Sequence, residues 1–78
     1  MANANVVTIA LHDISPLTIL KGLLQFNNWG GTDDLVACTS RIFDTIDAGP
    51  QVYTDKDTDI VVILNWDKNR MILMENVN

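Results

Sequence analysis

The spacing of apolar residues along this chain starts with period two, lengthens to about 3.6, and returns to period two. Residues 6–11 (VVTIAL) are β-branched and apolar, with Val7, Ile9 and Leu11 on one side, which predicts a first strand. Ser15-Pro16 then marks a helix start. The serine hydroxyl caps free backbone N–H groups, and proline in the first helical position loses no hydrogen bond. Along the predicted helix Leu17, Ile19, Leu20, Leu23, Leu24 and Phe26 are apolar, and Thr18, Lys21, Gln25 and Asn28 form one narrow polar stripe. That pattern predicts a helix buried on most of its circumference.

Asn27, Asn28, Trp29, Gly30 and Gly31 break the pattern, and Thr32 reads as the cap of a second helix, with Asp33 and Asp34 at its electropositive end. Leu35, Cys38, Ile42 and Ile46 share one face of it, flanked by Val36 and Phe43. Asp33, Ala37, Ser40, Asp44 and Asp47 share the opposite face. Gly49-Pro50 reads as its stop. The last third reads as a meander: a short strand at 51–54, a polar turn at 55–58, a long strand at 59–66, a hairpin loop at 67–69 and a returning strand at 70–77. Asn69 suits the positive φ of such a loop. The order β-α-α-β-β-β over residues 1–78 predicts a single small α+β domain, a four-stranded sheet packed by two helices. The place of the first strand in the sheet is not set by the pattern.

The final hairpin carries more apolar surface than one core face requires. Ile60, Val62, Leu64 and Trp66 alternate with Val61 and Ile63, and Met71 and Leu73 alternate with Ile72 and Met74. A strand with one solvated face alternates apolar with polar instead. Either the helices divide between the two faces, or the hairpin lies mid-sheet with its second face partly shielded by loops and termini, or Val61, Ile63, Ile72 and Met74 form a face covered by another protein chain. That chain is a second copy or a foreign partner.

Composition narrows the classes. Hydrophobic residues make up 47 % and charged residues 19 %, the balance of a folded domain. Five Lys+Arg against ten Asp+Glu leave a net charge of −5. Direct nucleic-acid binding and adhesion to anionic membranes both require clustered cations, so neither is expected. The one cysteine, Cys38, excludes an internal disulfide and reads as a small core residue. Residues 1–5 lack the cations of a secretory leader, and the longest apolar run, 60–64, falls far short of the roughly 20 residues of a spanning helix. An intracellular, cytoplasmic protein is the expectation.

Few residues look chemical. Asp55-Lys56-Asp57-Thr58-Asp59 opens like a calcium loop, but the sixth and twelfth positions are Ile60 and Trp66 where glycine and glutamate are needed. No metal or cofactor is expected. If the stretch is extended, Asp55, Asp57 and Asp59 project to one side about 6.6 Å apart, close to the spacing of successive phosphates on a nucleic-acid strand. With Asp33, Asp34, Asp44 and Asp47 they would form an acidic surface fitted to a basic groove. His12-Asp13 is the one candidate imidazole–carboxylate pair, and neighbours on a strand point to opposite sides, so no pairing is expected. Trp29 and Tyr53 are candidate aromatic anchors, with packing on the core as the competing role for each.

These features point to a small acidic, non-enzymatic protein-binding module that occupies a basic surface on a larger protein. One version is a phage-type inhibitor of a nucleic-acid-handling host complex, in the manner of an anti-CRISPR. This is an analogy of size and charge with no motif behind it. The competing class is a homo-oligomer, or a small subunit of an assembly, that uses the doubly apolar hairpin for packing.

Overall fold

A computed structural model describes residues 6–26, 29–49 and 51–75. Four strands, β1 (Val6–Ala10), β2 (Val52–Thr54), β3 (Ile60–Asn65) and β4 (Arg70–Glu75), form one antiparallel sheet in the order β1-β4-β3-β2. Helices α1 (Pro16–Leu23) and α2 (Thr32–Ala48) come between β1 and β2, and a 3-10 turn, Leu11–Asp13, links β1 to α1. The fold is thus the α+β arrangement β-α-α-β-β-β, and the first strand takes one edge beside the last. Asn28, Pro50 and the expected end of the last strand at Val77 lie outside the described residues.

Local chemistry explains most boundaries. The Thr18 amide donates to Ser15 Oγ at 3.2 Å and the Ser15 amide donates to Thr18 Oγ1 at 2.9 Å, a reciprocal cap that opens α1. Regular α1 ends at Leu23, earlier than its apolar spacing implies. The chain tightens there, with the amides of Gln25 and Phe26 donating to the carbonyls of Gly22 and Leu23. Leu17 and Leu24 are exposed, so α1 buries less of its circumference than expected. Helix α2 starts without a side-chain cap: Gly31 holds the cap position and Thr32 is already helical, which corrects the expected capping role of Thr32. Its stop is as expected, with Gly49 left-handed at φ 88°. Asn69 takes the positive φ of the β3–β4 loop, at 58°. Trp66 does not continue the inward row of β3. The strand ends at Asn65, so the alternation stops there, and the indole is 51 % exposed.

Both helices pack on one side of the sheet. Ile19 and Leu23 of α1 and Leu35, Cys38 and Ile42 of α2 form one buried cluster with Val7, Ile60, Val62, Leu64, Met71 and Leu73. Each buried aliphatic side chain contributes roughly 1.5–3 kcal/mol to that cluster. The register places the other side chains in rows across the opposite face. Val6, Met74, Val61 and Thr54 make one row, and Thr8, Ile72, Ile63 and Val52 the next. None of these eight belongs to the core cluster. The helices do not divide between the faces: the hairpin lies mid-sheet between β1 and β2, and Val61, Ile63, Ile72 and Met74 on its second face are half-buried.

Candidate interaction surfaces

The stretch 55–59 folds as the turn its composition predicts, so the row of same-side acids that an extended chain would give is not formed. Asp55 is 0 % exposed. Its carboxylate accepts from Arg41 Nε at 2.7 Å and Nη2 at 2.9 Å, from Tyr53 Oη at 3.1 Å, and from Thr58 through both the amide at 3.2 Å and Oγ1 at 2.6 Å. Burial alone pushes this carboxyl up, but the donors of Arg41, Thr58 and Tyr53 together outweigh it and hold Asp55 well below the usual carboxylate range. Asp55 is therefore an internal clasp between α2 and the β2–β3 turn, and it presents no carboxylate to a partner. Tyr53 takes the inward one of its two expected roles: it packs against the core and joins the same clasp, and burial followed by its bond to Asp55 pushes its phenol up. Cys38 lies beside it, Sγ 3.5 Å from Thr58 Oγ1, with its thiol pushed up by burial, as a core cysteine should be.

Asp57 and Asp59 remain exposed, Asp57 with one oxygen 3.6 Å from Arg41 Nη1. They face the flank of α2 across a cleft of about 350 Å³ lined by Trp29, Asp34, Ala37, Arg41, Asp57, Thr58 and Asp59. Trp29 folds back toward the core, its Nε1 donating to the Leu23 carbonyl at 2.9 Å, and so supplies both a helix-end bond and one wall of the cleft. The crest of α2 is exposed throughout, with Asp33, Ala37, Ser40, Asp44 and Asp47 as the periodicity predicts. Beside the crest, on the flank away from Arg41, Val36 and Phe43 are 54 % and 37 % exposed. The sequence showed them only as flanking residues. Their seven-residue spacing, two helical turns on one side of α2, was the available signal.

The distribution of charge is lopsided. Between Thr32 and Asp59 lie seven of the ten acids and only two cations, Arg41 and Lys56, so this stretch carries the whole net charge of −5. The other three acids, Asp13, Asp67 and Glu75, are balanced by Lys21, Lys68 and Arg70. Since α2 packs on the inner face of the sheet, its acidic crest points away from the open face. Two surfaces of different chemistry thus lie on opposite sides of the molecule: an acidic one over α2 and the 57–59 turn, and an apolar one made by the second face of the sheet.

His12 and Asp13 do approach, Nε2 to Oδ2 at 3.6 Å, because residues 11–13 turn as a 3-10 segment and do not alternate as a strand. Both are exposed, and Asn69 Nδ2 lies 2.6 Å from His12 Nδ1. Ser15, the nearest hydroxyl in sequence, is engaged as the cap of α1. Among the described residues no group of three or more His, Cys, Asp or Glu is arranged to hold a metal ion, and no helix is long and apolar enough to cross a membrane. No protein-family model, curated protein or solved structure matches the chain.

Proposed function

We propose that the chain is a small non-enzymatic protein-binding module that seats its α2 side on a basic surface of a larger protein. The observation that carries the reading is the concentration of the entire net charge on residues 32–59, around the exposed Val36 and Phe43. Charges at the margin raise the rate of encounter and select the partner, and apolar groups beside them hold the complex. The acids from Asp33 to Asp47 spread over about 20 Å of helix, at 1.5 Å per residue, long enough to span several phosphate-sized positions. A groove built to hold nucleic-acid phosphates is one such basic surface. A module seated there acts by exclusion, with no bond made or broken, which is the phage-type inhibitor reading. The acids of this surface are Asp33, Asp34, Asp44, Asp47, Asp57 and Asp59; Asp55, expected among them, is buried.

The test compares the wild-type chain as bait with a variant carrying Asp33→Asn, Asp34→Asn, Asp44→Asn and Asp47→Asn, and with Phe43→Ala. A basic protein retained by the wild type, lost from both variants, and displaced by added duplex DNA is the expected result. Retention unaffected by the four Asn substitutions refutes the proposal.

A further inference from the structure

We infer that the open face of the sheet is the docking surface for a second copy of this chain, sheet against sheet about a two-fold axis. The inference rests on a different side of the molecule from the acidic surface and does not depend on the function proposed for it. Three observations lead to it.

The first is continuity. Val6, Met74 and Val61 lie side by side in one row, and Ile72, Ile63 and Val52 in the next, so the apolar surface crosses all four strands without a break. Four strands about 4.8 Å apart and up to six residues long make a platform of roughly 19 by 20 Å. Two such faces bury about 800 Å² together, below the roughly 1,200 Å² of a stable interface, so the dimer is a weak one that should dissociate on dilution.

The second is charge. The two central rows contain no charged side chain, and Arg70 lies at the hairpin end, level with Ala10 and Asn65. A basic partner of the kind that suits the α2 side finds nothing to pair with here. A second copy brings an equally uncharged face. Any dimer made through α2 would instead press two −5 surfaces together. With the sheets facing, about 10 Å apart, each acidic helix lies on the far side of its own sheet, well beyond a Debye length of about 8–10 Å from the other.

The third is the side chains themselves. Valine and isoleucine on a pleated face interdigitate with their like, and Met74 adapts to the remaining gaps. A two-fold interface needs a surface complementary to itself, and a face of similar aliphatic groups meets that need with no matched donors or acceptors.

Sedimentation equilibrium from micromolar to near-millimolar chain tests this. The wild type should shift from 8.7 kDa toward twice that mass as concentration rises, and raising the salt should leave the shift in place. Thr8→Lys introduces a charge from an exposed position that the fold tolerates, and Ile63→Asp introduces one at the centre. Each should weaken the dimer at least about tenfold while the circular-dichroism spectrum stays unchanged. The four Asn substitutions on α2 should not weaken it. A monomer at every concentration overturns the inference and leaves the face to a different protein. So does a dimer that survives Thr8→Lys but is altered by the α2 substitutions.

Discussion

Arg41 and Asp55, fourteen positions apart and on different elements, meet in a two-pronged ion pair in which the Asp55 side chain is wholly buried and the Arg41 side chain is 36 % exposed. The pair ties the middle of α2 to the turn between the two strands farthest from β1. Asp55→Asn keeps the shape but leaves Arg41 facing an amide. Removing one partner of such a buried pair costs about 3 kcal/mol. In a domain of this size, stable by about 5 kcal/mol, most of the molecules stay folded but the margin is thin. The urea midpoint should fall by more than half, whereas Asp57→Asn, an exposed acid of the same turn, should leave it nearly unchanged.

The same clasp makes the fold acid-sensitive. Asp55 binds its proton less readily in the folded chain than in the unfolded one, whose ordinary value is 3.8. The unfolded state therefore takes up the proton first, and the stability that Asp55 supplies is fully present above that value and is lost as the pH falls below it. Urea midpoints measured from about pH 6 down to pH 2 should drop more steeply for the wild type than for Asp55→Asn. Parallel slopes for the two proteins would show that the carboxylate is not clasped in solution.

Gly22 sets how closely α1 approaches the sheet. A Cβ placed there would lie 3.2 Å from Ile9 Cδ1 and Val7 Cγ1 and 3.3 Å from Leu73 Cδ1. The Ile9 and Leu73 atoms are ends of flexible side chains, whereas Val7 is stiff at χ1 and must shift by a few tenths of an ångström. For Gly22→Ala the gain in helix propensity, about 1 kcal/mol, offsets the tight fit and the melting temperature should move little. Gly22→Val has no room for its two γ-methyl groups and should cost about 2 kcal/mol, or roughly 10 °C in a domain of this length.

Ser15→Ala removes one arm of the cap that opens α1, and should cost about 1 kcal/mol. Thr18→Ala, which removes the other arm, should cost a similar amount, and the double variant less than the sum, because the two arms form one unit. Thermal melts of the four proteins check this. Additive losses would mean that each side chain acts alone.

What was legible in the sequence was local. Ser15-Pro16, Gly49 and Asn69 each act through their own backbone or a neighbour three residues away, so their residue types alone place a start, a stop and a turn. The hairpin's doubled apolar pattern was legible because alternation is a property of consecutive residues, and the register confirms the two faces it implied. Asp55 was not legible. Nothing in Asp-Lys-Asp-Thr-Asp distinguishes a carboxylate aimed inward from one in water, and the cation that decides the matter sits fourteen residues upstream. His12 and Asp13 were misread for a related reason: strand alternation was applied to two residues beyond the strand predicted at 6–11, and a 3-10 turn carries neighbours to the same side. Trp29 had two open roles because an indole beside two glycines reaches either way, and the Leu23 carbonyl decides between them.

The pairing of the first strand with the last has a consequence for how the protein comes to exist. Val6 faces Met74 across the sheet, 68 positions later in the chain. On the ribosome, Val6–Ala10 emerges early and finds no strand to bond until β4 has cleared the exit tunnel. The helices and the β2–β3–β4 meander are built from contacts near in sequence and can form as they appear, but the sheet closes last and at the largest entropic cost. Until then a β-branched, uncharged ribbon waits with both backbone edges unpaired, and this nascent interval is when the chain is most exposed to misassociation.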